Sequence, residues 1–382
     1  MVFTEIAMNI PVSSLKKLQR LLNTIRINIK EFDDFLANTP HIYRSIKGHA
    51  FEVWFDRVMR ERGVKVNSIG GDSVVDRVIN GKTLQLKTPY LKATAAPKVF
   101  GYRMHKTHGA EVKPHCYYKK NEFADYLVGL HPTQGVIICP RKYLPTRGEV
   151  SKRLDYPEYL ADPLPFEWNT KWLNRYDLLG IKVKNNPTLA VHSESEAKYF
   201  PKLIEKIGFT DYDIIHSIID NKNFRIWFQL IVGTIRELHF SEFARLHKIT
   251  LNPPKKLKGR GSNKVDYVLD NGSRIQVKGL TKGMCSNKFL GCETQCSHGR
   301  VPNRLYRRSD FDFIVIVIDP GIIPVEKAKK LKIISKDYNF VILPISKLPR
   351  HPRSKEWGND YIKSSFLFRP EDVTYNNFEL LA

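Results

Sequence analysis

Two short phrases set an acid, an amide and an amine in the same order: "VVDRVINGKTLQLK" at 74–87 and "KVDYVLDNGSRIQVK" at 264–278. In the first, Asn80-Gly81 is a two-residue hairpin signal. Counting outward pairs Ile79 with Lys82, Val78 with Thr83, Arg77 with Leu84 and Asp76 with Gln85. Opposed residues share a face, and Lys87, two positions on, returns to it. In the second, Asp270-Asn271-Gly272 suits a three-residue loop with a left-handed glycine, which again sets Asp266 opposite Gln276 with Lys278 on that face. A carboxylate beside an amide carbonyl offers hard oxygen ligands suited to Mg²⁺, which keeps several waters and takes further ligands from a substrate phosphate. An ammonium group nearby can orient water or neutralise charge developing on that phosphate.

The elements that must carry these residues are also repeated. "GHAFEVWFDRVMRERGVKVN" (48–67) aligns without gaps with "GTIRELHFSEFARLHKITLN" (233–252), pairing Gly48 with Gly233, Glu52 with Glu237 and Phe55 with Phe240. Both blocks have helical periodicity and bring one further carboxylate each, Glu52 and Glu237. After the hairpins, "THGAEVKPHCYYKKNEFADYLVGLHP" (107–132) is matched by "SHGRVPNRLYRRSDFDFIVIVIDP" (297–320), with a shared His-Gly and a shared Tyr followed by two basic residues. "GVIICPRKYLP" (135–145) echoes "FVILPISKLP" (340–349), and "NRYDLL" (174–179) echoes "NNFELL" (376–381). Blocks repeated in the same order predict two tandem modules, 1–190 and 191–382, joined through the polar stretch "KNNPTLAVHSESEA". Each module reads as helices, then a hairpin, a basic loop and two apolar strands, a mixed α/β composition. The N-terminal "SSLKKLQRLLNTIRINIKEFDDFLA" predicts an amphipathic helix or pair, with Ser13 or Ser14 as its cap.

The order Glu…Asp…Gln-x-Lys resembles the PD-(D/E)XK nuclease superfamily, which places an acid on a leading helix, an Asp at a strand end and Glu-x-Lys on the next strand. Glu52, Asp76, Gln85 and Lys87 follow that order, as do Glu237, Asp266, Gln276 and Lys278. Two departures stand out. Gln replaces the more usual Glu, and Val75 and Val265 stand where the motif has Pro. The resemblance implies an αβββαβ core in each half and a catalytic quartet in each. It also implies Mg²⁺, with Mn²⁺ as a substitute, held by Glu52, Asp76 and Gln85 and by Glu237, Asp266 and Gln276.

Charge points to the partner. Lys and Arg number 62 against 39 Asp and Glu, a net charge of +23 spread through folded-looking sequence. Such a field favours a polyanion, because phosphate contacts release condensed counterions. Candidate DNA contacts lie in the basic segments that follow each Gln-x-Lys: His108, Lys119 and Lys120 in the first half; His298, Arg300, Arg304, Arg307 and Arg308 in the second. "PPKKLKGRGSNK" (253–264), without counterpart in the first half, adds Lys255, Lys256 and Arg260 as an arm toward a groove. Cys285, Cys292, Cys296 and His298 have a spacing foreign to the usual zinc patterns, so ordinary loop cysteines are favoured over a structural zinc. Trp54, Phe55, Trp168 and Trp172 are expected in the core. The most apolar run, Phe313–Ile318, is the length of a strand, so no membrane span is expected. The N-terminal residues lack the pattern of a signal peptide, and five irregularly spaced cysteines suit a reducing, cytoplasmic setting.

Cutting both strands of a duplex takes two sites of opposite polarity, and two modules in one chain supply them as an intramolecular pseudodimer without a second subunit. The sequence therefore predicts a Mg²⁺-dependent DNA endonuclease, a sequence-specific type II restriction enzyme acting as a monomer on double-stranded DNA. The alternatives are a structure-specific nuclease of the Holliday-junction or repair type, a homing-type nuclease, and a DNA-binding protein that keeps only the nuclease scaffold.

Overall fold

The computed structural model describes residues 10–25, 27–69, 74–90, 99–104, 117–150, 156–182, 197–220, 224–254, 264–286, 288–295, 304–357 and 360–382. Of these, residues up to Arg225 cluster into one compact unit and Ile226–Ala382 into another. The class is mixed α/β, as the composition of the segments suggests.

The first unit opens with α1 (Val12–Ile25), α2 (Ile29–Asn38) and α3 (Pro40–Glu61). In α1 the residues Leu18, Leu22 and Ile25 are buried at helical spacing. Its first residue is Val12, so Ser13 and Ser14 lie inside the first turn rather than at the cap. Asn28 starts α2 with a reciprocal capping box, its side chain accepting from Glu31 N at 2.9 Å while Glu31 accepts from Asn28 N at 2.8 Å. On α3 the residues Ala50, Phe51, Trp54, Phe55, Val58 and Met59 form the buried face.

The strands follow: β1 (Asn67–Ser68), β2 (Arg77–Ile79), β3 (Lys82–Lys87), β4 (Pro89–Tyr90), β5 (Val99–Tyr102), β6 (Tyr126–Leu130), β7 (Val136–Pro140) and, after the short helix α4 (Arg147–Val150), β8 (Leu164–Glu167). The main sheet has the order β1-β2-β3-β6-β7, with β3 and β6 parallel and the other neighbours antiparallel. A second sheet, β4-β5-β8, lies in the crossover from β3 to β6 and beyond. An αβββαβ pattern would put a helix in that crossover. Among the described residues it holds strands and one short 3₁₀ turn, Lys120–Glu122.

Two more helices complete this unit: α5 (Pro201–Ile207) and α6 (Asp211–Ile219). Asp33 of α2 accepts from the N–H groups of Lys202 and Leu203, both at 2.9 Å, and so caps α5 from a distant part of the chain. Asp213 of α6 forms a two-pronged bond with Arg57 of α3, each prong 3.1 Å, and caps its own helix with Thr210. These bonds draw 197–220 into the first unit. The expected division at 190/191 thus falls at the polar linker, whereas the compact units part between Arg225 and Ile226.

The second unit runs α7 (Phe224–Leu246), β9 (Tyr267–Val268), β10 (Arg274–Gly279), β11 (Leu290–Glu293), β12 (Phe313–Ile318), α8 (Val325–Lys330), β13 (Asn339–Pro344) and β14 (Ser365–Phe368). Its sheet order is β9-β10-β12-β13, again with one parallel pair, β10 and β12, between antiparallel ones. The β11-β14 pair answers β5-β8. Individual bonds repeat as well. Asp125 accepts from Thr83 N at 3.0 Å, and Asp312 from Arg274 N at 2.8 Å. Asn174 and Asn376, both left-handed, bridge to Val136 and Phe340. The internal repeat is therefore one of topology and hydrogen bonding as well as of sequence. The apolar run Phe313–Ile318 is the strand β12, at the centre of that unit's core. Trp54 and Phe55 are core residues, and Trp168 and Trp172 pack against the core of the first unit. Among the described residues no helix is long and apolar enough to cross a membrane.

Candidate active site

Both hairpins have the register that their turns dictate. Asn80 and Gly81 take φ of 50° and 74°, and the pairs Ile79–Lys82, Val78–Thr83 and Arg77–Leu84 follow. Gly272 is left-handed, and Ile275 pairs with Tyr267. One step further out, Gln85 Nε2 donates to Asp76 Oδ2 at 2.5 Å, and Gln276 Nε2 donates to Asp266 Oδ2 at 2.5 Å. The same Oδ2 atoms accept the backbone N–H of Leu86 and of Val277, each at 2.7 Å. Two unlike loops thus build one arrangement.

That arrangement leaves one atom unserved in each half. Gln85 Oε1 and Gln276 Oε1 are buried and, among the described residues, have no hydrogen-bond partner. A buried acceptor left unpaired costs about 1–3 kcal/mol, and here the same orphan occurs twice, at equivalent positions beside a carboxylate. The amide and carboxylate oxygens together suit a hard cation. Among the described residues no three His, Cys, Asp or Glu side chains converge on a metal position. Each site offers two carboxylates and an amide, so an ion bound there would complete its shell with water and substrate oxygens.

Electrostatics bring in the helix acids and the lysines. Burial pushes Asp76 up to about 6, the charge of Glu52 adds to the rise, and the Lys87 ammonium opposes it. Asp266 is likewise raised to about 6 by burial, with Lys278 opposing. Glu237 is pushed up to about 7, first by burial and then by Asp266, and again Lys278 opposes. Burial also raises Glu52, against the pull of Arg77. In each half, therefore, Glu, Asp and Lys feel one another's charge. All eight expected residues are assembled as two quartets.

The quartets match, but the residue after each Asp differs. Arg77 follows Asp76 and reaches back to α3, contacting Glu52 at 3.1 Å and Asp56 at 2.7 Å. Tyr267 follows Asp266 and donates instead to the backbone oxygen of Glu237 at 3.3 Å. Among the described residues Glu237 has no ion pair. Its helix is anchored by the neighbouring Arg236, which clamps Asp319 with Nε to Oδ1 at 2.8 Å. Gly279 leaves room for that guanidinium, since a Cβ there would lie 1.7 Å from Arg236 Nη1.

Two tyrosines belong to the site although sequence reasoning gave them no role. Lys87 Nζ sits 5.0 Å from the ring centre of Tyr118, and Lys278 Nζ 5.1 Å from that of Tyr306. Their signal in the sequence is the shared Tyr before two basic residues.

Those basic residues are partly committed to protein partners. Lys120 lies 3.9 Å from Glu149, and Arg308 donates to Leu348 O at 2.8 Å, with both side chains about a quarter exposed. Lys119 and Arg307 lie over the rings of Tyr159 and Tyr361, Arg307 exposed and Arg304 half-buried. His108, Lys255, Lys256, Arg260, His298 and Arg300 lie outside the described residues, as does Cys296. Of the remaining members of the zinc set, Cys292 is buried in the apolar core with its thiol pushed up to about 12, and Cys285 donates to Thr281 O. No protein-family model matches the chain, and no curated protein sequence matches it.

Proposed function

We propose that the chain is a divalent-metal-dependent DNA endonuclease of the PD-(D/E)XK kind with two active sites, cutting both strands of duplex DNA at a specific sequence. The carrying observation is the doubled orphan: Gln85 Oε1 and Gln276 Oε1, each buried and unpartnered among the described residues, beside an aspartate whose ionisation burial resists. Asp76 with Gln85 and Asp266 with Gln276 would hold Mg²⁺, and Glu52 and Glu237 stand as the further carboxylates. When bound, the ion supplies charge against the phosphodiester and acidifies water for attack at neutral pH.

The chain's own residues do the rest. Lys87 and Lys278, on the face of the acid and amide, counter the charge that grows on the phosphate in the transition state. Asp76 and Asp266 keep one oxygen tied to backbone N–H, which fixes the carboxylate plane and frees Oδ1 for a ligand. A net charge of +23 supports a nucleic-acid partner and rapid, salt-sensitive association.

Plasmid DNA and a four-way junction, each incubated with Mg²⁺ and with EDTA, test this reading. Discrete plasmid fragments in Mg²⁺ alone are expected. Junction-only cleavage would shift the assignment to a structure-specific nuclease, and tight binding without cleavage would leave a DNA-binding scaffold.

A further inference from the structure

Resting on the nuclease reading, we propose that Tyr118 and Tyr306 are positioning residues, whose aromatic rings hold the ammonium groups of Lys87 and Lys278 toward the scissile phosphate. A lysine carries its charge on a flexible four-carbon stem and needs an external constraint to keep it in one place. The face of an aromatic ring supplies one, because its quadrupole attracts a cation.

The contact recurs in both copies of the repeat. Nζ-to-centroid distances are 5.0 Å and 5.1 Å, although the surroundings read "CYYKKNEFAD" and "RLYRRSDFDF". Both tyrosines are buried, and each ring is braced edge-on by a phenylalanine: Tyr118 by Phe123 at 5.4 Å, Tyr306 by Phe311 at 5.2 Å. Each backbone is fixed too, with Tyr118 O accepting from Leu160 N and Tyr306 O from Ile362 N, both at 2.9 Å. The hydroxyls are not the common element. Tyr118 OH accepts from Lys87 Nζ at 3.3 Å, which sets that ammonium toward the hydroxyl end of its ring, while Lys278 Nζ donates to Gln295 O at 3.3 Å. What the two halves share is the ring.

Phe and Leu variants at both positions separate the ring from the hydroxyl and from mere filling of space. In the full chain with ¹³C-dimethylated lysines, the Lys87 and Lys278 signals, assigned by Lys→Arg variants, are expected upfield-shifted by ring current. The shift should survive Tyr118→Phe and Tyr306→Phe and vanish in Tyr118→Leu and Tyr306→Leu. In plasmid cleavage by unmodified protein, each Leu variant should lower kcat for one strand about 10- to 100-fold with KM unchanged, and Phe should restore it. Unshifted lysine signals in the wild type overturn the proposal, as does a folded Leu variant that cuts at the wild-type rate. If the wild type shows the ring-current shift but cuts nothing in Mg²⁺, the nuclease reading fails and the role in cleavage falls with it, while the lysine–ring contact stands.

Discussion

Gln85 and Gln276 occupy the positions where another carboxylate would add a third acid to Glu52 with Asp76 and to Glu237 with Asp266. Burial already raises those aspartates to about 6, so a further buried negative charge there is unfavourable without a cation. Gln85→Glu and Gln276→Glu should therefore lower the melting temperature without metal at pH 8, yet reach full stabilisation at lower Mg²⁺ concentration; thermal shift against a Mg²⁺ titration reads both effects. The same raised carboxyls set the pH dependence. Asp76, Asp266 and Glu237 bind protons more readily in the fold than unfolded, so the stability they contribute is complete below the ordinary carboxylate range and is lost as pH rises from there through about 6 to 7. Metal-free protein should melt at lower temperature at pH 8 than at pH 5. The gain from Mg²⁺ should be larger at pH 8, because the ligands must be ionised to bind it. A Mg²⁺ gain independent of pH would contradict the assignment of these acids as ligands. Arg77 adds an asymmetry: it already neutralises Glu52, whereas among the described residues Glu237 has no such partner. Glu237→Gln should slow its strand more than Glu52→Gln slows the other, as measured by single-turnover cleavage.

The helices that bring the acids to the hairpins each carry a glycine one turn earlier, Gly48 and Gly233. A side chain at either would meet no described atom within 4 Å. Gly48→Ala and Gly233→Ala should accordingly each stabilise the fold, by about 1 kcal/mol, as urea unfolding will show. Asp213→Ala should do the reverse by about 3–5 kcal/mol, leaving the Arg57 guanidinium in α3 without its buried partner. How much of this was legible in the sequence depends on the range of the interactions. The hairpin registers were readable because Asn80-Gly81 and Gly272 fix them locally, and with them the meeting of Asp76 with Gln85 and of Asp266 with Gln276. The allegiance of 197–220 was not, since Asp33 and Asp213 act on residues far along the chain while the linker before them has the composition of a boundary. Nor was the crossover, where strand pairing between Val99–Tyr102 and Leu164–Glu167 leaves no periodic mark. A repeat at Tyr159 and Tyr361 also escaped, because those segments share little beyond the tyrosine and its apolar neighbour, although Leu160 and Ile362 make equivalent bonds.

Across the whole chain the +23 charge has no single home, and some expected contact residues, such as Lys120 and Arg308, spend part of theirs on protein partners. What remains should still make DNA affinity fall steeply with salt, on the order of 1000-fold between 50 and 200 mM when six or more phosphates are engaged; fluorescence anisotropy with duplex DNA measures the slope. A flat salt response would remove the polyanion from the account. The doubling of the quartet is the feature on which the functional reading turns, and plasmid topology reads it directly. In Mg²⁺ the wild type should linearise a supercoiled plasmid, Lys87→Ala and Lys278→Ala should each stop at the nicked circle, and the double variant should leave the plasmid supercoiled. A Lys278→Ala or Lys87→Ala protein that linearises plasmid at the wild-type rate would contradict two working sites in one chain.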